Sequence, residues 1–171
     1  MSVQNPMELF VRLLSGLRQG SEKGTKAYRE LSKIAEDPDI KEALEARALV
    51  SEQTLERLDQ CFNLIGEQPV KVSSRLQEVF LEEFHKELAE IQEPMARRLF
   101  VLARAAHLNH LRIAEYMALV AAADLTGHFA VGVLLETCLA DRVAFAERTR
   151  RFIRNMVEAR VAKKISERVA A

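Results

Sequence analysis

The amino-acid sequence predicts an all-α protein. Only six glycines and four prolines interrupt its 171 residues, and no stretch keeps the alternation of polar and apolar residues that is typical of a strand. Apolar residues instead recur at steps of three and four, which places them on one face of a helix. The predicted helices cover about residues 6–36, 38–66, 74–93, 94–125 and 128–165.

The composition fits one water-soluble domain over residues 1–171. The charged fraction is 29% and the formal net charge is zero, which excludes neither a basic nor an acidic patch. No window of about 18 residues is apolar enough to span a bilayer, and the first residues lack the apolar run of a signal peptide. Cys61 and Cys138 fall on or beside apolar stripes, so we expect two reduced core residues in the cytoplasm.

The first predicted helix begins with Asn5 as its cap and Pro6 in its first turn. Its apolar stripe comprises Phe10, Leu13, Leu17, Gly20, Gly24, Ala27, Leu31 and Ile34. Gly16, Gly20 and Gly24 stand at steps of four, and each costs roughly 1 kcal/mol relative to alanine. The glycines therefore indicate the close approach of a neighbouring helix, or a space for a ligand or a large side chain.

The second predicted helix has the most regular period in the chain. Asp37 can cap its start, and Gly66 is a natural C-terminal stop. Its stripe comprises Leu44, Ala48, Ser51, Leu55, Leu58, Phe62 and Ile65. The residues that follow, 67–73, are predicted to form a loop.

The third predicted helix has one narrow apolar edge and is otherwise acidic. The edge comprises Leu76, Phe80, Phe84 and Leu88, and the acidic residues are Glu78, Glu82, Glu83, Glu87, Glu90 and Glu93. This pattern predicts a solvated acidic face. An element of this kind suits the long crossover connection of some four-helix bundles.

The fourth predicted helix places a polar residue inside an apolar stripe. The stripe comprises Leu102, Ala106, Asn109, Ile113, Tyr116 and Val120. Glu93 and Pro94 suit the start of this helix, because its first turn tolerates proline and favours negative charge. What the other helices place opposite Asn109 is therefore the functional question.

The last predicted helix continues into a basic tail. Its stripe comprises Val131, Leu134, Cys138, Asp141, Phe145, Thr149, Phe152 and Met156. Residues 142–171 contain nine basic residues against three acidic ones. The excess predicts a solvated helix end whose charges meet the acidic third helix, or a surface for nucleic acid or an anionic membrane.

Two segments carry a resemblance to a known family. LVSEQTLERLDQCFNLIGEQP, residues 49–69, and HLNHLRIAEYMAL, residues 107–119, resemble the YciE/YciF family of small bacterial ferritin-like proteins. The resemblance covers about residues 10–152. It implies a ferritin-like four-helix bundle, with a short helix in the crossover between the second and third bundle helices, and an oligomeric protein. It also implies a central di-metal site built from Glu and Glu-x-x-His ligands.

This sequence departs from the family at most of those ligand positions. The positions hold Ser21, Leu49, Val50, Ser51, Glu52, Asn109, His110, Ala140, Asp141 and Arg142. Only Asp141 keeps a carboxylate near the expected place, and Arg142 beside it repels cations. Two divalent ions need more anionic oxygen than this, so we expect no cofactor, with iron or manganese as the alternative.

The candidate site residues form two sets. The candidates for a single, weakly held metal are Glu52, His107, His110 and Asp141. The polar positions predicted at the bundle centre are Ser21, Ser51, Asn109, Cys138 and Asp141. Because most of these are small, large neighbouring side chains, water or a ligand would fill the centre, and Arg47 could pair there with Asp141.

The sequence favours a helical module without catalytic activity. Such a protein would self-associate, as a homodimer, or hold a partner, and Leu111 and Phe129 are candidates for the interface. An oxidoreductase or iron-handling protein with a non-standard site is one alternative. Anion or nucleic-acid binding through the basic tail is the other alternative, and nucleic acid is a less favoured partner than a second copy of the chain. The chain has no nucleophile motif, phosphate loop or zinc cysteine spacing.

Overall fold

The computed structural model describes residues 3–72 and 75–169, except for the side chains of Gln77, Lys163, Lys164 and Arg168. Its helices are α1 (Pro6–Ile34), α2 (Pro38–Ile65), α3 (Leu76–Glu90), α4 (Pro94–Leu125) and α5 (Phe129–Val169). No strand occurs within the described residues. The prediction of an all-α fold with a short helix between the second and third long helices is therefore confirmed.

The helix bounds differ from the predicted ones by a few residues. α1 ends two residues earlier than predicted and α5 runs four residues further. α3 ends at Glu90 rather than 93, and its predicted start at Ser74 lies outside the described residues. The difference at α3 follows from its C-terminus, where the Arg97 side chain donates hydrogen bonds to the carbonyls of Leu88 and Ile91 at 3.0 and 2.9 Å.

The caps that the sequence predicts are present. The Glu8 amide donates to the Asn5 side chain at 2.9 Å, and Asp37 accepts from the first turn of α2. Gly66 ends α2 with a φ of 70°, in the left-handed region that favours glycine. Each cap satisfies backbone groups that a helix end leaves without partners, so these residues set where the helices begin and end.

The four long helices form two antiparallel hairpins that pack on each other. Short turns join α1 to α2 and α4 to α5. α1 also runs antiparallel to α4, because Phe10 near its start stacks on His128 just after α4, whereas Gly20 lies beside Arg112 in the middle of α4. The connection that contains α3 must therefore return the chain along the length of the bundle.

The crossover is fastened to α1 and α4. The Val70 amide donates to the Ser15 hydroxyl at 3.0 Å, and Phe84 of α3 is fully buried. The remaining faces of α3 are largely exposed, as the acidic pattern predicts. Its ion pairs join Glu78 to Lys23 of α1 and Glu87 to Arg104 of α4.

The core consists of two apolar clusters, one toward each end of the bundle. The first apolar cluster contains Phe10, Leu14, Leu17, Leu58, Cys61, Phe62, Leu119, Leu135 and Cys138. The second apolar cluster contains Tyr28, Leu31, Ile40, Leu44, Phe84, Val101, Leu102, Leu108 and Phe145. The described polar residues that are buried lie mainly in the middle of the long helices, so the core is layered along its length.

Several predicted stripe positions prove to lie off the buried face. Leu13 is exposed, and Ala106, Ile113 and Val120 of α4 are half-buried. The spacing of apolar residues at steps of three and four does not fix how far each helix is rotated about its own axis. Successive side chains point about 100° apart, so a small error in that rotation moves a residue off the buried face. Within the described residues, no helix has both the length and the apolar character needed to cross a bilayer.

Candidate functional site

Three arginines are buried at the level between the two apolar clusters. Arg47 of α2, Arg112 of α4 and Arg142 of α5 are only 2–3% exposed. Around them lie further buried side chains with polar groups from α1, α2 and α4: Ser21, Tyr28, Ser51, Asn109 and Tyr116. We call these eight residues the central arginine layer. Arginine is rarely buried so completely without paired charges, so this layer is the candidate site.

Arg47 and Arg142 are neighbours within this layer. Burial, followed by the positive charge of Arg142, lowers the pKa of Arg47 to about 10. The guanidinium of Arg47 also lies 5.8 Å from the centroid of the Tyr28 ring and 5.7 Å from that of Phe145. Such cation–π contacts offset part of the cost of burying the charge. With a pKa near 10, Arg47 therefore remains protonated at neutral pH although its surroundings are largely apolar.

Arg112 occupies a space that a glycine provides. A Cβ atom on Gly20 would lie 2.7 Å from the Cζ atom of Arg112, so a larger residue at position 20 would displace the guanidinium. Glu115, one turn along α4, forms an ion pair with Arg112. The prediction that the glycines leave space for a large side chain is thus confirmed at Gly20, whereas a Cβ atom on Gly16 or Gly24 would meet nothing within 4 Å.

The remaining residues of the central arginine layer carry hydroxyl and amide groups. The Asn109 side-chain nitrogen donates to the Arg142 carbonyl at 2.8 Å, which answers what lies opposite Asn109. Burial raises the pKa of the Tyr116 hydroxyl, although the charge of Arg142 acts in the other direction. Ser21, Ser51 and Asn109, which the sequence predicts at the bundle centre, are all buried there.

Asp141 does not lie at the bundle centre, and that prediction is wrong. Its side chain is 36% exposed and accepts a hydrogen bond from Arg57 of α2 at 2.7 Å. The next residue, Arg142, points inward instead. The predicted ion pair of Arg47 with Asp141 is wrong for the same reason. The prediction places α5 one residue out of register, so that Asp141 takes the inward position that Arg142 occupies in the structure.

The candidate metal ligands do not come together in one site among the described residues. Glu52 pairs with Arg29, and Asp141 pairs with Arg57 as described above. His107 and His110 are exposed on α4, where the His107 ring meets the edge of Phe80. In the described part of the chain, no three His, Cys, Asp or Glu side chains form a group that could hold a metal ion.

The residues at the bundle centre do not fit a di-metal site. Guanidinium nitrogens donate hydrogen bonds but have no lone pair for a metal, and their positive charge opposes a cation. Iron and manganese sites in bundles of this type depend on inward-facing carboxylates, and the central arginine layer contains none. The layer therefore lacks the ligands on which di-metal redox chemistry depends.

The two cysteines lie in the first apolar cluster, as predicted for reduced core residues. Both are free and buried. Burial is the main cause that raises the pKa of Cys61 to about 12, and it also raises that of Cys138. A protonated, buried thiol is a poor nucleophile, so neither cysteine is suited to catalysis.

The basic tail is an exposed part of α5, except for Arg142, which the sequence analysis counts in the tail. Its exposed arginines are Arg148, Arg150, Arg151, Arg154 and Arg160, but Arg142 belongs to the core. Arg150 pairs with Glu147 of the same helix at 3.0 Å. The described ion pairs of α3 go to α1 and α4, so they do not join the acidic helix to the tail within this chain.

Sequence reasoning did not place Arg112 and Arg142 in the core. A usable signal existed for Arg112, because it stands three residues after the stripe position Asn109. Charged residues at such positions are ordinarily assigned to the helix surface. Gly20 is the second indication, because it leaves space for the Arg112 side chain. The two residues can be connected only once α1 is packed on α4.

Comparisons with known proteins identify relatives of the same fold. A family model described as "Domain of unknown function (DUF892)" matches residues 5–162. The structure of YciF, a stress protein of E. coli, has a TM-score of 0.85 and 22% identity, over 91% of this chain and 99% of that one. YcfI of Rhodopseudomonas palustris, described provisionally as a structural protein, has a TM-score of 0.83 and 24% identity, over 87% and 95%.

A third structure, of a protein from Xanthomonas campestris pv. campestris, has a TM-score of 0.73 and 19% identity, over 94% of this chain and 99% of that one. At these identities the likeness concerns the fold. A search of curated protein sequences found no significant match.

Proposed function

Because this chain belongs to the family described as Domain of unknown function (DUF892), we propose that it is a structural helical bundle. It works by self-association and has replaced the di-metal centre of ferritin-like proteins with buried arginines. The resemblance of its segments to the YciE/YciF family is confirmed by the family match and by the structural likeness to YciF. The provisional description of YcfI as a structural protein supports the same role.

The central arginine layer is the observation that carries this proposal. A di-metal centre would have to sit at the level of Asn109, where inward-facing residues of all four long helices meet. At this level α2, α4 and α5 each contribute an arginine instead of a carboxylate. Glu115 pairs with Arg112, but the positive charges of Arg47 and Arg142 still disfavour two divalent cations at the same place, so metal-dependent oxidation is the less favoured alternative.

The surface around the turn between α4 and α5 supports self-association. Met117 and Leu125 of α4 and Phe129 and Val133 of α5 are 60–74% exposed, and the sequence predicts Phe129 as an interface residue. Leu111, the other predicted interface residue, is half-buried. We call the four exposed residues the α4–α5 corner. Two identical apolar patches can meet across a two-fold axis, which is the commonest symmetry of soluble homodimers.

Metal analysis tests the first part of the proposal. Purified protein, supplied with ferrous iron or manganese and then desalted, should retain well under one metal ion per chain. Its melting temperature should also be the same with and without a chelator. Two retained ions per chain that raise the melting temperature would contradict the proposal and favour the oxidoreductase alternative.

Light scattering after size exclusion tests the second part. We expect the wild-type protein to elute at twice the 19.4 kDa mass of the chain. The Met117→Glu/Phe129→Glu variant should elute as a monomer, because charges would be buried in the interface. Leu49→Glu is the matched control, since Leu49 is 58% exposed on α2 and should leave the dimer intact. A monomeric wild type would overturn self-association.

The exposed arginines of α5 favour one second candidate, which is nucleic-acid binding. Contacts to phosphates would give an affinity that falls steeply with salt. Fluorescence anisotropy with a labelled duplex should show no binding at 0.15 M salt if the structural proposal is right. Binding that falls with salt and is lost in Arg151→Ala/Arg154→Ala would favour the second candidate instead.

A further inference from the structure

The central arginine layer holds positive charge that its described neighbours do not balance. Arg112 has Glu115 as its ion-pair partner. Arg47 and Arg142 form no ion pair among the described residues. The carboxylate of Asp141 is bound to Arg57 at 2.7 Å, and its charge offsets that of Arg47 only in part. Two neighbouring guanidiniums thus lie in the core with aromatic rings and hydroxyls around them. Burying charge in this way costs several kcal/mol for each ion unless an opposite charge is near.

The polar atoms of the layer are mostly hydrogen-bond donors. The buried atoms with no partner among the described residues include Nε and Nη2 of Arg47 and Nε of Arg142. Further such atoms are the hydroxyls of Ser21, Tyr28, Ser51 and Tyr116, the Nη2 atom of Arg112 and the Oδ1 atom of Asn109. Guanidinium groups can only donate, and hydroxyls can do both. Only the Asn109 oxygen is restricted to accepting, so the layer is suited to surround an acceptor.

We propose that the central arginine layer binds one small inorganic oxyanion, of the phosphate or sulfate class, between the guanidiniums of Arg47 and Arg142. Ser51 lies one turn after Arg47 on α2, and its buried hydroxyl, which has no hydrogen-bond partner among the described residues, is a further donor for the ion. The planar fork of a guanidinium matches two oxygens of such an ion, which makes these contacts short and strong.

The arrangement distinguishes an oxyanion from water and from an organic phosphate. Water would satisfy the hydrogen-bonding atoms, but it would leave the two like charges unbalanced. A phosphate ester would need room for its organic part, whereas Arg47 and Arg142 are 97–98% buried. A free inorganic ion meets both conditions, and it would hold α2 and α5 together at this level.

Thermal unfolding at constant ionic strength tests the proposal. Replacing sodium chloride with sodium phosphate should raise the melting temperature of the wild-type protein by several degrees. The Arg47→Met/Arg142→Met variant should show no such rise. Arg151→Met/Arg154→Met is the matched control, because these arginines are exposed on α5 and the rise should persist. Glycerol phosphate should have little effect on the wild type.

Several outcomes would overturn the proposal. One is a wild-type melting temperature that is the same in chloride and in phosphate, and another is an equal increase with glycerol phosphate. The others are an increase that Arg47→Met/Arg142→Met keeps and an increase that Arg151→Met/Arg154→Met loses. If the core variant does not fold, the anion can be measured directly. Wild-type protein desalted from phosphate and then denatured should release about one phosphate or sulfate per chain, by ion chromatography.

Release of less than a tenth of an ion per chain would reject the site. This result is independent of self-association, because the layer is built within one chain. A monomeric wild type that releases one ion per chain would therefore reject the dimer and keep the anion site.

Discussion

The first apolar cluster and the central arginine layer occupy adjacent levels of the same bundle, and they differ in what holds them. Leu14, Leu58 and Leu135 are fully buried in the first apolar cluster, where close packing of side chains is the main contact. In the layer, Arg47 and Arg142 are almost as deeply buried, and the guanidinium of Arg47 lies over the rings of Tyr28 and Phe145. Burial by itself therefore does not distinguish the structural part of the core from the candidate site.

The difference teaches that the two regions contribute in different ways. Each apolar side chain stabilises the fold by roughly 1.5–3 kcal/mol when it is buried. A buried charge stabilises little by itself, and its value depends on the groups placed around it. We therefore expect changes in the apolar clusters to lower stability most, and changes in the layer to act through particular contacts.

The largest effect should come from the first apolar cluster. Leu58→Ala should lower the free energy of unfolding by about 2–5 kcal/mol, because it removes buried methyl groups and leaves a cavity. Urea unfolding followed by circular dichroism measures this value. Leu64→Ala is the control, since Leu64 on the same helix is 57% exposed and should change stability by less than about 0.5 kcal/mol. Equal losses in the free energy of unfolding for Leu58→Ala and Leu64→Ala would contradict the stabilising role assigned to the first apolar cluster.

A smaller effect is expected where α1 meets the layer. Gly20→Ala should lower the free energy of unfolding by about 1–3 kcal/mol, because its Cβ atom would displace the guanidinium of Arg112. Gly24→Ala, whose Cβ atom meets nothing within 4 Å, should instead raise stability by up to about 1 kcal/mol. The same urea measurement applies to both variants. If both alanines stabilise the protein, Arg112 does not depend on Gly20.

The hydrogen bond between α4 and α5 should contribute less again. Asn109→Ala removes the donor to the Arg142 carbonyl and should cost about 0.5–1.5 kcal/mol. Thr137→Ala provides the control, because the exposed Thr137 hydroxyl bonds only within its own helix. Chemical denaturation at pH 7 compares the two. A loss no greater than that of the control would place Asn109 outside the contacts that hold the layer.

The smallest effect at neutral pH is that of the ionisation of the Cys61 thiol, and it becomes measurable only in alkali. The pKa of Cys61 is about 12 in the fold and about 9 without burial. Between these values the unfolded chain loses a proton that the folded chain keeps, so stability falls as the pH rises from 9 to 12. One such group contributes up to about 1.4 kcal/mol per pH unit.

This effect is tested by the slope of the free energy of unfolding against pH, which can be compared between variants even when their stabilities differ. The free energy of unfolding of Cys61→Ala should fall less steeply between pH 9 and 12 than that of the wild type. Below pH 9 the two curves should run parallel. Identical slopes above pH 9 would mean that the Cys61 thiol is not shielded from solvent in the first apolar cluster.

Most of the fold was predictable from local sequence patterns. Asn5, Asp37, Gly66 and Glu93 set helix ends through contacts within a few residues, and such contacts can be recognised in the sequence. The buried positions of Ser21, Ser51 and Asn109 were also predictable, because each lies on or next to a periodic stripe. The central site was predictable only to this extent.

The sequence by itself determined five helical segments and the level at which polar residues enter the core. The tertiary structure decided that Arg142 rather than Asp141 faces that level, and that Gly20 makes room for Arg112. The physical reason is that helix formation depends on neighbours in the chain, whereas the direction of a side chain depends on the rotation of each helix. That rotation is fixed only when all four long helices pack together, so the chemistry of the core could not be predicted from any one of them.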